Sequence, residues 1–153
     1  MDFKDNFSKQ SNFYQRYRPT YPIELFQYLS SLTSENKLAW DCGTGNGQSA
    51  IGLANYFEKV YATDPSEQQI LNAISHPKII YKVEKAESNS LARNSVDLIT
   101  VAQALHWFDF DTFYSEAKRV LKKEGVIAVW TYGLPQICSE IDNLILHFHD
   151  DIV

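Results

Sequence analysis

The sequence predicts an α/β fold: a Rossmann-like, doubly wound parallel sheet of about five strands with helices on both faces. Short apolar runs typical of strands alternate with segments whose apolar residues have helical spacing. The run Val96–Ala102 is nearly continuous in apolar residues, as expected of a parallel strand covered on both faces. Gly43, Gly45 and Gly47 follow an earlier apolar run and precede a helical segment. Open α/β sheets place a nucleotide-type site at such a turn.

The elements are predicted in order along the chain. Pro22 suits a first helical turn, and the apolar residues from Leu25 to Leu32 follow at helical spacing. Strands are predicted at 38–42, 59–63, 79–83, 96–102 and 126–131. Further helices are predicted at 48–57, at 67–74, from Phe110 to a stop at Gly125, and at 136–148.

Length and composition favour one soluble domain. The 153 residues are 44% hydrophobic and 22% charged, and we divide them into an N-terminal helical segment (1–35), a core (36–132) and a final helix (133–153). The net charge of −5 disfavours nucleic acid and anionic membranes as partners. Two distant cysteines suggest neither a disulfide framework nor a metal site. With a polar N-terminus and no long apolar run, a cytoplasmic location is expected.

Because the strands are parallel, the loops that follow them should meet at one edge of the sheet. The glycine turn follows Asp41, in the spacing GxGxG rather than the GxGxxG of a dinucleotide site. Asp64 ends the second strand and is followed by Pro65. Its carboxylate could accept both hydroxyls of a ribose, or it could cap the next helix.

The third and fourth loops leave alternatives open. Ala86 and Glu87 lie in a loop that could contact an adenine edge or could simply be solvated. Trp107 could stack on an adenine, face a sulfonium cation or cover the core, whereas Phe108 is assigned to the core. His106 is the one histidine expected at this edge, where it could act as a base or be satisfied locally.

Four blocks in order resemble the class I S-adenosylmethionine-dependent methyltransferases, and in particular the type 11, UbiE-like branch near the trans-aconitate methyltransferases. The resemblance extends from about Phe7 to Tyr132. The blocks are the opening segment at 7–9 with 14–22, the glycine loop at 41–47, the segment 62–68 and the segment 102–109.

The resemblance implies S-adenosylmethionine as cofactor and S-adenosylhomocysteine as product. The cofactor contacts that it implies are Tyr14, Arg18, Asp41, Gly43, Thr44, Gly45, Gly47, Asp64, Pro65, Ala86, Glu87, Gln103, His106 and Trp107. The glycine loop would hold the methionine part, Asp64 the ribose, and the 86–87 loop the adenine. Tyr14 and Arg18, in the 1–35 segment, would fold over the cofactor. For Arg18 the alternative of a surface charge beside a turn is equally open.

The implied reaction is in-line methyl transfer to a small-molecule acceptor, for which the protein mainly supplies alignment and a dry site. A carboxylate acceptor would need no base; for a hydroxyl, an amine or a carbon acid, His106 is the candidate. One alternative is a cofactor-binding module without turnover that acts through protein contacts. Another is a nicotinamide-dependent oxidoreductase, although the glycine spacing counts against it.

The chain departs from this family at its C-terminal end. Members continue with two more strands, the last antiparallel, whereas the 22 residues at 132–153 suffice for one helix. We therefore expect a truncated fold without the C-terminal β-hairpin, and an exposed fifth strand that is covered by the final helix or by a second copy in a homodimer. Lys85 is a smaller departure, because relatives often have an acid there.

Overall fold

The computed structural model describes residues 20–133 and 138–151, with side chains as far as His147. A 3₁₀ helix, Leu105–Trp107, follows the fourth strand. The helices and strands in chain order are α1 (Ile23–Ser31), β1 (Leu38–Cys42), α2 (Gln48–Ala54), β2 (Lys59–Asp64), α3 (Glu67–Leu71), β3 (Ile79–Val83), β4 (Val96–Ala102), α4 (Phe110–Val120), β5 (Leu121–Trp130) and α5 (Ser139–Asp151).

The five strands in these ranges form one parallel sheet in the order β3-β2-β1-β4-β5. In the middle of the sheet, Trp40 pairs with Tyr61 on one side and with Ile99 on the other. The strand order reverses between β1 and β4, which is where open α/β sheets bind ligands. The predicted Rossmann-like fold is confirmed.

Alternate residues of each central strand enter two apolar layers, one on each face of the sheet. Ala39 and Leu98 pack on the face covered by α1 and α2, whereas Trp40 and Ile99 pack on the face covered by α4. Phe113 of α4 is fully buried against Trp40, with ring centroids 6.3 Å apart. In the described residues, helices therefore cover both faces of the sheet.

The helix expected to stop at Gly125 ends earlier, at Val120. Its last carbonyls accept hydrogen bonds from outside the helix: Asn94 N donates to Arg119 O at 3.0 Å and Ser95 N donates to Val120 O at 2.8 Å. Leu121 is then extended and begins β5. Gly125 lies instead within β5, where the pairing with β4 shifts register before Val126. The predicted stop was wrong because long-range hydrogen bonds ended the helix.

Other boundaries differ by a few residues. The helices predicted at 48–57 and 67–74 end at Ala54 and Leu71, and the last helix occupies Ser139–Asp151 rather than 136–148. No strand follows β5 in the described residues 138–151. Among the described side chains of α5, Ile141, Leu144 and Leu146 are exposed. The expectation that the final helix or a second copy covers this edge stays a prediction.

Candidate functional site

The glycine loop between β1 and α2 depends on backbone conformations that other residues rarely adopt. Gly43, Gly45 and Gly47 have φ angles of 69°, 56° and 89°. A Cβ on Gly43 would lie 2.6 Å from the Cβ of Ala104, and one on Gly47 would lie 2.2 Å from the hydroxyl of Tyr81. The loop is therefore enclosed by the β4 loop on one side and by β3 on the other.

Asp41, at the end of β1, holds this loop through hydrogen bonds. Its side chain is buried, and its two carboxylate oxygens accept hydrogen bonds from Thr44 Oγ1 at 2.5 Å and Thr100 Oγ1 at 2.7 Å. Burial raises the pKa of Asp41, and the hydroxyl donors offset part of that rise. The carboxylate joins the loop to β4, which agrees with an orienting role for this acid.

A small cleft lies beside the loop at the carboxyl ends of β1 and β4. In the described part of the chain, Gln48 Oε1 is buried there without a hydrogen-bond partner. The cleft is lined by Tyr21, Asp41, Gly43, Thr44, Gln48, Ser49 and Ala102.

Asp64 joins the glycine loop to the end of β2. Its Oδ2 accepts from Gly45 N and its Oδ1 accepts from Ser66 N, both at 2.9 Å. The cap of α3 is Ser66, whose Oγ accepts from Gln69 N at 3.4 Å. The alternative that Asp64 caps this helix is therefore wrong. A carboxylate oxygen can accept more than one hydrogen bond, and the neighbouring Pro65 is half-buried.

The third loop is tied to the fourth rather than simply solvated. Ala86 is buried, and Glu87 Oε1 accepts a hydrogen bond from Asp109 N at 2.9 Å. Asp109 itself caps α4 by accepting from Thr112 N at 3.0 Å. Lys85, the departure from the family pattern, is exposed.

Gln103 has an unusual backbone and a side chain that is already engaged. Its φ of 56° is in the left-handed region, and its N donates to Trp130 O at 3.0 Å. The side-chain amide donates to Tyr132 O at 3.2 Å and accepts from Thr131 Oγ1 at 3.0 Å. Gln103 thus joins the ends of β4 and β5, and its contact with a cofactor stays a prediction.

The aromatic loop divides between core and surface. Phe108 packs on the core, with its ring centroid 5.0 Å from that of Phe113, and it lies over Gly43. Trp107 is 59% exposed, and the ring of His106 lies tilted beside it at 4.8 Å. Trp107 is therefore mostly exposed, whereas Phe108 is partly buried against the core.

The fold brings the candidates on four loops to one edge of the sheet: 41–47, 64–65, 86–87 and 103–107. Tyr14 and Arg18 lie outside the described residues. Sequence reasoning missed Thr100, Tyr81 and Asn46, all of which contact or belong to the glycine loop. A threonine within the apolar run of β4 was the one available signal for Thr100.

Cys42 has no catalytic geometry. Its thiol is buried at the end of β1, and burial raises its pKa well above the usual range, so the reactive thiolate is disfavoured. Among the described residues, no group of three His, Cys, Asp or Glu side chains could hold a metal ion.

The residues at this edge fit S-adenosylmethionine. The positive-φ glycines leave space that a Cβ would fill, and Asp64 offers acceptors for hydroxyl groups. The side-chain amide of Asn46 and Gln48 Oε1 are buried polar groups without hydrogen-bond partners in the described ranges. Such groups are costly to bury unless a polar ligand or water satisfies them.

Fold and edge together define a Rossmann-like protein whose candidate cofactor site lies where the strand order reverses. A family described as a methyltransferase domain matches residues 40–129, which is more than half of the chain. The protein belongs to this family, within the class I S-adenosylmethionine-dependent methyltransferases.

Individual relatives agree with this assignment. A Dictyostelium discoideum protein provisionally named a methyltransferase is 43% identical over 146 residues, which are 95% of this chain and 56% of that protein. The Saccharomyces cerevisiae protein CRG1, provisionally named an S-adenosylmethionine-dependent methyltransferase, is 26% identical over 91% of this chain and 51% of its own length. The chain thus spans about half the length of the curated relatives it matches.

A solved structure from Anaeromyxobacter dehalogenans, provisionally described as a type II methyltransferase, matches with a TM-score of 0.79 and 43% identity. The match covers 87% of this chain and 57% of that one. Placement near the trans-aconitate branch stays a prediction, and the family match does not favour the oxidoreductase or the module without turnover. Across the described ranges, every helix is too short or too polar to cross a bilayer.

Proposed function

We propose that this protein transfers a methyl group from S-adenosylmethionine to a small-molecule acceptor. The observation that carries the proposal is the hydrogen bond from Gly45 N to Asp64 Oδ2 at 2.9 Å, within a methyltransferase-family fold. It joins the loop expected to hold the methionine part to the acid expected to hold the ribose. The loop follows β1, where the strand order reverses, and Asp64 ends the neighbouring strand β2.

The chain's own residues mainly bind and orient. The glycine loop would hold the amino-acid end, Asp64 the ribose hydroxyls, and the 86–87 loop the adenine. When bound, the cofactor supplies a methyl group that its positively charged sulfur has already activated for in-line displacement. Exposed Trp107 would exclude water beside that sulfur, and the His106 imidazole would accept the proton of a hydroxyl or amine acceptor.

A small acceptor is favoured over a nucleic acid. The net charge of −5 disfavours a polyanion, and the described edge offers a small cleft rather than a basic groove. Turnover with a panel of small carboxylates, phenols and amines would identify the acceptor class. Methyl transfer to nucleic acid in place of these compounds would contradict this part of the proposal.

Calorimetry with S-adenosylhomocysteine and with NAD tests the cofactor. We expect the wild type to bind the first and not the second, and the reverse result would overturn the proposal. We also expect Asp64→Ala to weaken S-adenosylhomocysteine binding by about 1–3 kcal/mol, the cost of losing a charged hydrogen-bond partner. Unchanged affinity in that variant would show that Asp64 serves only the loop and not the ligand.

A further inference from the structure

A basic hollow lies at the amino ends of β4 and β5, at the end of the sheet opposite to the candidate cofactor site. Its volume is about 690 Å³. Small-molecule sites in proteins have volumes of about 300–1,000 Å³. The hollow is lined by Asn94, Lys118, Leu121, Lys122, Lys123 and Gly125. Half of these residues are lysines, and none of the described residues that line the hollow is acidic.

The hollow exists because β5 departs from its neighbour near its start. The pairing of β4 with β5 shifts register between Val96 and Leu98, and the segment 122–125 is not paired with β4. Irregularities of this kind bend a strand. Gly125 allows the close approach beside the hollow, because a Cβ there would lie 2.7 Å from Leu121 Cδ2 and 3.0 Å from Val96 O. The register shift thus gives the hollow one of its walls.

The turn that precedes β4 forms another wall. Asn94 has a φ of 54°, in the left-handed region, and its N donates to Arg119 O at 3.0 Å. Ser95 N donates to Val120 O at 2.8 Å. These hydrogen bonds hold the turn against the end of α4, which carries Lys118. Main-chain hydrogen bonds therefore fix the shape of the hollow.

Two of the lysines bring positive charges that no described acid pairs with. Lys118 and Lys123 are exposed, and neither forms a salt bridge in the described ranges. Lys122 differs, because its ammonium lies 2.6 Å from Asp97 and 2.9 Å from Glu35. A hollow lined by unpaired charges of one sign attracts a ligand of the opposite sign.

The lining also limits the size and type of that ligand. Leu121 is half-buried and packs against the core, and the methylene chains of the lysines add apolar surface around it. The net charge of −5 opposes the approach of a large polyanion. Size, apolar surface and local charge together fit a small anion that has an apolar part.

We propose that the basic hollow is a second binding site, for a small organic anion. Its carboxylate or phosphate group contacts Lys118 and Lys123, and its apolar part contacts Leu121. This site does not depend on the proposed methyl transfer, because it lies at the other end of the strands.

NMR titrations of the isotope-labelled wild type with benzoate, phenyl phosphate and phenol test the site. We expect at least one of the two anions to shift the backbone amide signals of residues 94 and 118–125 in a saturable manner. Phenol, which has the same ring without the charge at neutral pH, should not shift them. The anion that binds more tightly identifies the preferred anionic group.

The double variant Lys118→Gln with Lys123→Gln should bind that anion about tenfold more weakly, the effect of losing a hydrogen bond to a charged group. Lys59→Gln with Lys82→Gln is the matched control. It removes the same charge from two exposed lysines on β2 and β3, and should leave the affinity unchanged. Lys123→Gln alone, which leaves α4 unaltered, replaces the first double variant if that variant does not fold.

The proposal is overturned if neither anion shifts these amide signals saturably, or if phenol shifts them equally. Equal weakening in both double variants would also overturn it, because net charge rather than the hollow would then account for binding. Calorimetry with S-adenosylhomocysteine on the same proteins tests the proposed function separately. A wild type that binds the anion but not S-adenosylhomocysteine would contradict the proposed function and support this site.

Discussion

At the scale of single residues, Asp41 places a carboxyl group in the interior, where it holds the glycine loop. It is 1% exposed, and its described side-chain donors include the hydroxyls of Thr44 and Thr100 rather than a cation. A buried carboxylate without a positive partner is costly, which is why its pKa is raised. Such a residue persists when ligand binding, rather than stability, requires it.

We expect Asp41→Asn to stabilise the ligand-free protein at neutral pH and to weaken its binding of S-adenosylhomocysteine. A raised folded-state pKa means that the stability associated with the protonated acid is lost as the pH rises through that pKa. The difference in free energy of unfolding between variant and wild type should therefore shrink as the pH falls toward 3.8, the ordinary pKa of an aspartic acid. Denaturant unfolding of both proteins at several pH values measures this difference.

The control for this prediction is Asp111→Asn, an exposed acid in the first turn of α4. It should reduce stability slightly or not at all, because only a weak interaction with the helix N-terminus is lost. If Asp41→Asn instead destabilises the free protein at pH 7, the carboxylate is a net stabilising group and the argument from burial is wrong.

At the scale of elements, β3 braces the glycine loop through Tyr81. The ring lies against Gly47, and its hydroxyl donates to Ile74 O at 2.9 Å. Burial, with a smaller contribution from the charge of Asp41, raises the pKa of Tyr81 to about 12. The neutral phenol is therefore the form that the folded protein favours.

Tyr81→Phe should lower the free energy of unfolding by about 0.5–1.5 kcal/mol at neutral pH, the usual contribution of one hydrogen bond. Because the folded pKa of Tyr81 lies above its ordinary value of 10, this stabilisation is present below pH 10 and is lost as the pH rises through about 12. Urea unfolding at about pH 8 and about pH 11.5, below and within the range of this titration, should show the free energies of unfolding of the two proteins converging at the higher pH. Tyr28→Phe, an exposed tyrosine on α1, should show no such effect.

A buried carboxylate, Asp97, joins three strands at the opposite end of the sheet. Asp97, at the start of β4, is 3% exposed and accepts hydrogen bonds from Lys37 N at 3.0 Å and Leu38 N at 2.8 Å. Lys122 Nζ of β5 lies 2.6 Å from its other oxygen. One carboxylate thus aligns the beginnings of three strands, far from the candidate site.

Asp97→Ala should destabilise the protein by about 3 kcal/mol, because it leaves two backbone donors and a partly buried ammonium without their acceptor. The affinity of the remaining folded protein for S-adenosylhomocysteine should not change, since the site lies at the other edge. Chemical unfolding and calorimetry on the same variant measure the two effects. A large loss of affinity without loss of stability would mean that the two edges are coupled.

At the scale of the whole molecule, β5 is an edge strand that the described side chains leave open. Val129 on β5 is 43% exposed, and Leu144 on α5 is 72% exposed. Unpaired edge strands with apolar residues favour association with another chain. A homodimer through this edge therefore stays a prediction.

If this edge mediates self-association, Val129→Lys should shift the protein toward monomer, because a charge on an edge strand opposes strand pairing. Sedimentation velocity over a range of concentrations compares it with the wild type. Lys59→Arg, which keeps an exposed charge at the start of β2, should leave the distribution unchanged. A wild type that is monomeric at all concentrations would rule the dimer out.

The bounds of β1, β3 and β4 were predictable because short apolar runs bounded by turn residues are local signals. The end of α4 was not, because its final carbonyls accept from Asn94 and Ser95, about 25 residues earlier in the chain. Gly125 carried a valid local stop signal, but tertiary hydrogen bonds ended the helix first.

The candidate site divides in the same way. Asp41, the alternate glycines and Asp64 can be identified from the sequence alone, because each combines a residue type with a position at the end of a strand. By itself, therefore, the sequence determined the fold class, the family resemblance and the glycine loop as the expected cofactor site.

Only the tertiary structure decided how those residues act on one another. The hydrogen bond from Thr100 to Asp41 joins two strands, and the hydrogen bond from Gly45 to Asp64 joins the glycine loop to β2. The buried amide of Asn46, which has no hydrogen-bond partner among the described residues, is likewise visible only once its surroundings are folded. These contacts depend on strand order and register, which bring distant residues together and leave no local trace in the chain.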